Sequence, residues 1–169
     1  MHPFLAEIIG TAILIIFGNG VVANVVLNRT KGSGGGWIVI TAGWGMAVFV
    51  AVFCVAKYSG AHINPAVTIG LAAGGKFSEK FFRGWSDVPV YILGQMIGAV
   101  VGAVIVYLFY RQHYEVTDDG DAKLATFATA PNVRSIPSAF ISETIGTFLL
   151  VFPIFCMVDP TIGGDFPGG

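Results

Sequence analysis

The sequence predicts an all-α membrane protein. Three observations support this prediction: the composition, four long apolar segments, and one short apolar segment interrupted by glycine and proline. Of the 169 residues, 54% are hydrophobic and only 11% are charged, and the mean hydropathy is +0.76. Soluble domains carry about 25% charged residues, so this chain has too few ionic side chains to cover a water-facing surface. Its formal net charge of -1 argues against a nucleic-acid partner, because phosphate binding needs clustered positive charge.

Four segments are long and apolar enough to cross a bilayer, whose hydrocarbon core of about 30 Å needs about 20 helical residues. The first and fourth segments each contain a single charged residue, Glu7 and Glu143, and the other two contain none. Helices are expected because every backbone polar group must find its partner inside the segment when lipid surrounds it. The predicted spans are 4–27, 37–56, 88–110 and 138–158.

The short segment lies between the second and third spans and contains the run SGAHINPA at 59–66. Asn64 is a favourable N-cap and Pro65 fits the first position of a helix, so a helix is predicted to begin at Pro65. From there to Gly74 is about 15 Å of helix, half of a membrane. We therefore predict a re-entrant segment over 59–75 that enters and leaves on one side, with its non-helical backbone buried in protein or lining a wet cavity. An extramembrane loop is the alternative.

The first and fourth spans open with one pattern, EIIGT at 7–11 and ETIGT at 143–147. The order of the spans makes the two copies enter from opposite sides. This predicts an inverted repeat, in which half-helices place a permeation site at the midplane. The same spacing puts the counterpart of Asn64 at about position 200, beyond Gly169. The expected division is a first repeat over 1–110, an extramembrane loop over 111–137, and the incomplete start of a second repeat over 138–169.

The backbone of the re-entrant segment carries the predicted chemistry. The carbonyls of Gly60, Ala61 and His62, left without helical partners, would form a row of acceptors for water or hydroxyl groups. The side chain of Asn64 would offer an amide N–H, and the start of the half-helix adds about half a positive charge that repels cations and protons. A buried N-cap is the alternative reading of Asn64. Glu7 and Glu143 need partners, because an unpaired charge in lipid is costly.

Asn64, Pro65 and Ala66, together with the residues around them and the AEIIGT opening at 6–11, resemble the first signature motif of the aquaporin and aquaglyceroporin family. The resemblance covers essentially the whole chain, as the first two thirds or so of a member. It implies an aquaporin-like fold with a truncated second repeat, and pore-lining carbonyls at 60–62. It also implies that Glu7 and Glu143 each brace a re-entrant loop, Glu7 against the loop containing His62. A proton relay for the glutamates and a titrating gate for His62 are alternatives.

Trp44 decides the expected substrate class. In the family this position contributes an aromatic side chain to the narrowest constriction, usually Phe in water-selective members and Trp in glycerol-conducting ones. An indole would give the CH groups of a polyol a broad apolar wall. The stretch TFATAPN at 126–132 also resembles the glycerol branch. An interfacial anchor is the alternative role for Trp44.

The resemblance therefore implies a passive channel for glycerol, small uncharged polyols and water that excludes ions and protons. It implies a homotetramer in the plasma or cytoplasmic membrane, with lipid around it and with no catalysis, cofactor or metal. Three alternatives stay open: a water-selective aquaporin, an ion-coupled secondary carrier, which also uses inverted repeats, and a truncated, non-conducting fragment.

Two further features of the apolar segments concern packing. Gly94, Gly98 and Gly102 form a ridge of small residues on the third span, which predicts close contact with another helix. Cys54 and Cys156 lie in apolar stretches without a metal-binding or redox spacing, so we expect them to be packing residues of the core.

Overall fold

Six helices make up the part of the chain that the structure, a computed structural model, describes: residues 1–78 and 80–157, with the backbone alone at 157. The helices are α1 (Pro3–Val26), α2 (Trp37–Ser59), α3 (Pro65–Ala73), α4 (Val88–Glu115), α5 (Gly120–Ala125) and α6 (Ile136–Met157). Helices α1, α2, α4 and α6 are each long and apolar enough to cross a membrane. The prediction of an all-α, multi-pass membrane protein is confirmed.

The helix ends differ from the predicted ends where polar sequence continues a helix. Helix α4 runs to Glu115 rather than stopping at residue 110, and its last turns carry an ion pair of 3.2 Å between Arg111 and Glu115. Apolar sequence predicts where a helix can lie in lipid, whereas backbone hydrogen bonding lets the same helix continue into water. Helix α5 lies inside the segment predicted as a connecting loop.

Helices α1 and α4 run parallel and touch along the predicted glycine ridge. An added Cβ would meet the carbonyl oxygen of Phe4 at 3.0 Å from Gly94, and that of Ala12 at 2.9 Å from Gly102. At Gly98 it would overlap the carbonyl oxygen of Ile8 outright. The prediction of close packing is confirmed: these backbones lie so near each other that only glycine fits between them.

Helix α2 runs antiparallel to α1. Gly10 faces Val55, whereas Gly18, farther along α1, faces Trp44. Trp44, on α2, therefore packs against the second half of α1, away from the start of that helix. From Gly10 to Gly18 is about 12 Å of helix.

The half-helix α3 points back toward the end where α4 begins. Its start lies beside Gly10, which faces Ile63, and its later residues Leu71 and Ala72 share a core cluster with Val88 at the start of α4. Helix α6 is parallel to α3, because the glycines at 70 and 74 face the side chains at 151 and 155 in the same order. Helix α6 therefore runs opposite to α1. This direction agrees with the prediction that ETIGT at 143–147 and EIIGT at 7–11 enter the membrane from opposite sides. The division into 1–110, 111–137 and 138–169 stays a prediction.

The expectation for the cysteines is wrong, since Cys54 and Cys156 are both exposed. In a membrane an apolar side chain can face lipid as well as protein, so apolar surroundings in the sequence do not indicate burial in a core. Much of α2, α4 and α6 is exposed in the same way, with large side chains such as Phe53 and Phe109 about four-fifths accessible.

An ion pair between Arg83 and Asp87 lies in the linker just before the start of α4, outside the spans. Asp87 accepts hydrogen bonds from the backbone N–H of Arg83 at 2.8 Å and from its guanidinium at 3.1 and 3.3 Å. These bonds hold the pKa of the Asp87 carboxyl below its ordinary value of 3.8. A lowered pKa stabilises the fold above that ordinary value, and the contribution is lost as the pH falls through the lowered pKa.

We therefore expect Asp87→Asn to lower the melting temperature slightly at pH 7, and the deficit to disappear as the pH falls through the lowered pKa of Asp87. Thermal unfolding in detergent, followed at several pH values, measures both quantities. A deficit of equal size at every pH would contradict the ion-pair explanation.

Candidate functional site

The segment between α2 and α3 has an unusual backbone. Helix α2 ends on Gly60, in the left-handed region with φ 81°, and the N–H of Gly60 donates to the carbonyl of Ala56 at 2.8 Å. Ala61 and Ile63 also have positive φ, 52° and 44°. For non-glycine residues this conformation costs on the order of 1–3 kcal/mol each, and it persists only where surrounding contacts impose it.

Glu7 supplies those contacts directly at Ile63, and through Ser59 at Ala61, whose backbone N–H donates to the Ser59 hydroxyl at 3.1 Å. Its Oε1 accepts hydrogen bonds from the Ser59 hydroxyl at 2.6 Å and the backbone N–H of His62 at 3.1 Å. Its Oε2 accepts from the backbone N–H of Ile63 at 2.7 Å and the Gln95 amide at 2.7 Å. The glutamate is fully buried. A carboxylate on α1 therefore fixes two successive amides of the loop.

A second set of hydrogen bonds ties the loop to α3 and α4. The Gln95 amide also donates to the Thr68 hydroxyl at 2.9 Å, and that hydroxyl donates to the carbonyl of Asn64 at 3.1 Å. The Nδ1 of His62 lies 3.2 Å from the same hydroxyl. Because the single proton of the hydroxyl is used toward Asn64, His62 must be the donor, which assigns a proton to Nδ1.

The ring of His62 is enclosed by aromatic side chains. Its centroid lies 4.6 Å from that of Phe82 and 4.7 Å from that of Tyr91. The Tyr91 hydroxyl is 2.8 Å from the carbonyl of Ser59 and 2.9 Å from that of Phe81. The side chain of His62 is therefore built into the packing behind the loop.

The carbonyls of the loop are not used in these networks. Within the described residues no hydrogen bond reaches the carbonyl oxygens of Gly60, Ala61, His62 or Ile63. A carbonyl that lacks an internal partner must be satisfied by water or by a ligand. The loop thus presents consecutive acceptors whose backbone Glu7 holds in place.

Asn64 supplies a donor beside these acceptors. It is the N-cap of α3, and its Oδ1 accepts from the backbone N–H of Ala66 at 2.8 Å while Pro65 occupies the first turn. With the oxygen turned toward the helix, the Nδ2 group points away from it. Asn64 is half-buried, and its Nδ2 group makes no hydrogen bond inside the described part of the chain. The start of α3 adds about half a positive charge at this point.

Trp44 lies farther along the bundle. It is half-buried, its ring rests on Gly18, and it lines a cavity of about 600 Å³. The cavity is also lined by Thr41, one turn earlier on α2, and by Thr129 of the linker after α5. The linker stretch at 126–132 therefore returns to the same cavity as Trp44.

The sequence as a whole matches one family over nearly its full length. The model of that family, described as "Major intrinsic protein", covers residues 1–165. The chain belongs to the major intrinsic protein family. The sequence resemblance to aquaporins and aquaglyceroporins is thereby confirmed.

Relatives within the major intrinsic protein family are close in sequence. A "Probable glycerol uptake facilitator protein" of Thermotoga maritima is 54% identical over 154 residues, which are 91% of this chain and 63% of the relative. A "Glycerol uptake facilitator protein" of Streptococcus pneumoniae is 49% identical over 93% of this chain and 64% of the relative. The X-ray structure of the aquaglyceroporin from Plasmodium falciparum superposes with a TM-score of 0.82 at 36% identity, covering 97% of this chain and 63% of that structure. The chain thus spans somewhat less than two thirds of the length of these proteins.

The structure of this major intrinsic protein brings most of the predicted site together. Glu7 contacts the loop at 60–63, and Asn64, Pro65 and Ala66 form the start of α3. Trp44, on α2, lies apart from the loop and packs against the second half of α1 at Gly18. Glu143 is exposed on α6. Its role as the brace of a second re-entrant loop stays a prediction.

Two functional side chains were not predicted as part of the site. Gln95 and Thr68 link the loop, α3 and α4, and both are fully buried. Gln95 did carry a signal, because a polar residue in an otherwise apolar, uncharged span needs a partner. Its partners could not be known from the sequence, since Glu7 lies 88 residues away.

Proposed function

We propose that this protein is a passive channel for glycerol and other small uncharged polyols, which also conducts water and excludes ions and protons. The observation that carries the proposal is the set of loop carbonyls without internal donors, held in place by Glu7. A hydroxyl group or a water molecule needs an acceptor for each proton it offers, and consecutive carbonyls supply such acceptors along a path.

The polar geometry favours neutral solutes. The amide of Asn64 can donate a hydrogen bond to an oxygen of the solute, while the neighbouring carbonyls accept hydrogen bonds from the hydroxyl protons of the same solute. The positive end of α3 lies at the same place, and it opposes the approach of a cation or a hydrated proton. A solute with several hydroxyl groups and no charge meets both requirements.

Trp44 supports a polyol rather than water alone. Its indole offers the CH groups of a polyol an apolar wall, and the two relatives described above are named for glycerol uptake. We further propose that the protein is a homotetramer in the cytoplasmic membrane, surrounded by lipid, and that it acts without catalysis or a cofactor. The division of its chain into an inverted repeat is part of this proposal.

Stopped-flow light scattering on proteoliposomes tests the channel. The purified protein is first characterised by its intact mass, so that the length of the chain in the membrane is known. A glycerol gradient should then produce fast swelling, linear in glycerol concentration, with a low activation energy. Water flux without glycerol flux would identify a water-selective channel, and an absence of both would identify a non-conducting chain.

If the protein were an ion-coupled carrier, its glycerol uptake would differ from that of a channel. Such a protein needs an ionisable group in its pathway, and Glu7 is fully engaged by four hydrogen bonds while His62 is packed between aromatic rings. Glycerol uptake that saturates and follows an imposed proton or sodium gradient would overturn the channel proposal.

We expect Trp44→Phe to lower the ratio of glycerol to water permeability by about tenfold, because one smaller apolar contact is worth about 1–3 kcal/mol of discrimination. The same proteoliposome assay, run with both gradients, measures the ratio. Trp85→Phe is the matched control, since Trp85 is 58% exposed in the linker before α4 and does not line the cavity that holds Trp44. An equal change in both variants would show that Trp44 does not set the selectivity.

A further inference from the structure

A cleft of about 500 Å³ opens at the end of the bundle where α1 and α4 both begin. The ionisable side chains His2, Lys80, Arg83 and Asp87 line it from positions before α1 or in the linker before α4, and Tyr91 lines it from α4. Its apolar lining includes Phe4 and Val90, in the first turns of α1 and α4. The cleft therefore lies where two spans leave the membrane, with a polar part outside them and an apolar part within them.

The cleft is basic. Asp87 is the acidic side chain among the described lining residues, and both of its oxygens accept hydrogen bonds from Arg83. The Arg83 side chain is still 74% exposed, so its remaining guanidinium N–H groups are accessible. Lys80 lines the cleft, and its ammonium lies 4.9 Å from the centre of the Phe81 ring, a contact that uses none of its three N–H donors in a hydrogen bond. His2 adds a further donor at Nε2, because its Nδ1 accepts from the N–H of Phe4 at 3.2 Å.

The apolar part of the cleft continues along the membrane-facing side of α4. Val90, Leu93 and Ile97 are 43%, 56% and 39% exposed. Their spacing places them on one side of the helix. Trp85, 58% exposed in the linker beside the cleft, has the position of an interfacial aromatic anchor. A ligand that fits this surface has an anionic group at one end and a long apolar chain at the other.

We infer that this cleft binds the phosphate-bearing headgroup of an anionic phospholipid, with Lys80, Arg83 and His2 as donors and an acyl chain along Val90, Leu93 and Ile97. A free phosphate ion would use the donors alone and would leave the adjoining apolar surface without a role. An acidic protein segment would likewise leave the apolar surface of α4 at Val90, Leu93 and Ile97 uncovered. Tyr91 also lines the cleft and packs against His62 of the re-entrant loop, but it takes no part in the inferred binding. The inference is independent of the proposed transport function, because within the part of the chain that the structure describes Lys80, Arg83 and His2 make no hydrogen bond to the loop.

Native mass spectrometry of the purified protein tests the site. The protein is titrated in detergent with phosphatidylglycerol or with phosphatidylcholine of the same chain length, and bound lipids are counted. Each surface cation contributes about 1 kcal/mol toward an anionic lipid, or about fivefold in affinity. We therefore expect phosphatidylglycerol to bind about fivefold more weakly to Lys80→Gln and about thirtyfold more weakly to Lys80→Gln/Arg83→Gln. Phosphatidylcholine binding should not change.

The matched control is Lys31→Gln/Arg134→Gln, which removes two exposed cations at the opposite end of the bundle. An equal loss of phosphatidylglycerol binding in this control would overturn the inference, because it would show a general charge effect. Full displacement of phosphatidylglycerol by millimolar inorganic phosphate would overturn it in favour of a free-anion site. Circular dichroism and gel filtration check that each variant is folded, and the conservative Lys80→Arg variant should retain binding.

Discussion

Glu7→Leu is expected to destabilise the protein by about 3–5 kcal/mol and to abolish glycerol permeation. The change removes the acceptor of four buried donors, namely the Ser59 hydroxyl, two loop amides and the Gln95 amide. Removing one partner from a buried network costs this much because the remaining polar groups stay buried and unsatisfied. Ala61 and Ile63, which have positive φ, would also lose the contacts that impose their conformation. Denaturant titration in detergent micelles measures the loss of stability.

Glu7→Gln makes the test sharper, because it conserves size and removes only the charge and one acceptor. The amide nitrogen of the new glutamine would face the donors that Glu7 accepts from. The Glu7→Gln variant should therefore be less stable than the parent and more stable than Glu7→Leu. Glu115→Gln is the control, since Glu115 is exposed at the end of α4. If Glu7→Gln and Glu115→Gln had the same stability and permeability, the bracing role of Glu7 would be wrong.

Gly98→Ala is expected to lower the free energy of unfolding by about 1–3 kcal/mol, the usual cost of forcing an extra group into a well-packed contact. The added methyl would overlap the carbonyl oxygen of Ile8 and lie 3.0 Å from Cβ of Thr11. Neither atom can rotate away, because the first belongs to the backbone of α1 and the second is fixed to it. The helices would have to separate along the whole ridge.

Gly20→Ala is the matched control for this prediction. It makes the same chemical change on α1, where an added Cβ would meet no atom within 4 Å. Its stability should equal that of the parent or exceed it by up to about 1 kcal/mol, because alanine is the better helix former. The same denaturant titration serves for both variants. Equal stability of the two variants would show that the α1 and α4 contact tolerates a methyl group.

The sequence predicted the spans because span length follows from bilayer thickness and apolar composition alone. It also predicted the start of α3, since Asn64 and Pro65 act through local backbone geometry. These predictions needed only neighbouring residues. The true end of α4 was missed because its last turns are polar and paired by Arg111 and Glu115.

The network behind the loop could not be predicted, because its members are far apart in the chain. Glu7 is separated from Ser59 by 52 residues and from Gln95 by 88. An unpaired glutamate in a span indicates that a partner exists without indicating which residue it is. Burial of the cysteines was predicted wrongly for a related reason: apolar sequence cannot distinguish a side that meets protein from a side that meets lipid.

The long separations within the Glu7 network determine the order in which the molecule can assemble. Glu7 is synthesised long before the amides it accepts from, and Gln95 arrives only with α4. Contacts between distant residues form late, because the chain between them must first be ordered. The hydrogen bond from the amide of Ile63 to Glu7 can form only when α1 and the loop after α2 have come together, and the bond from Gln95 to Glu7 only when α4 has joined them. We therefore expect the re-entrant loop to reach its final conformation late in biogenesis, and a nascent chain released before α4 to contain α1 and α2 without the complete network.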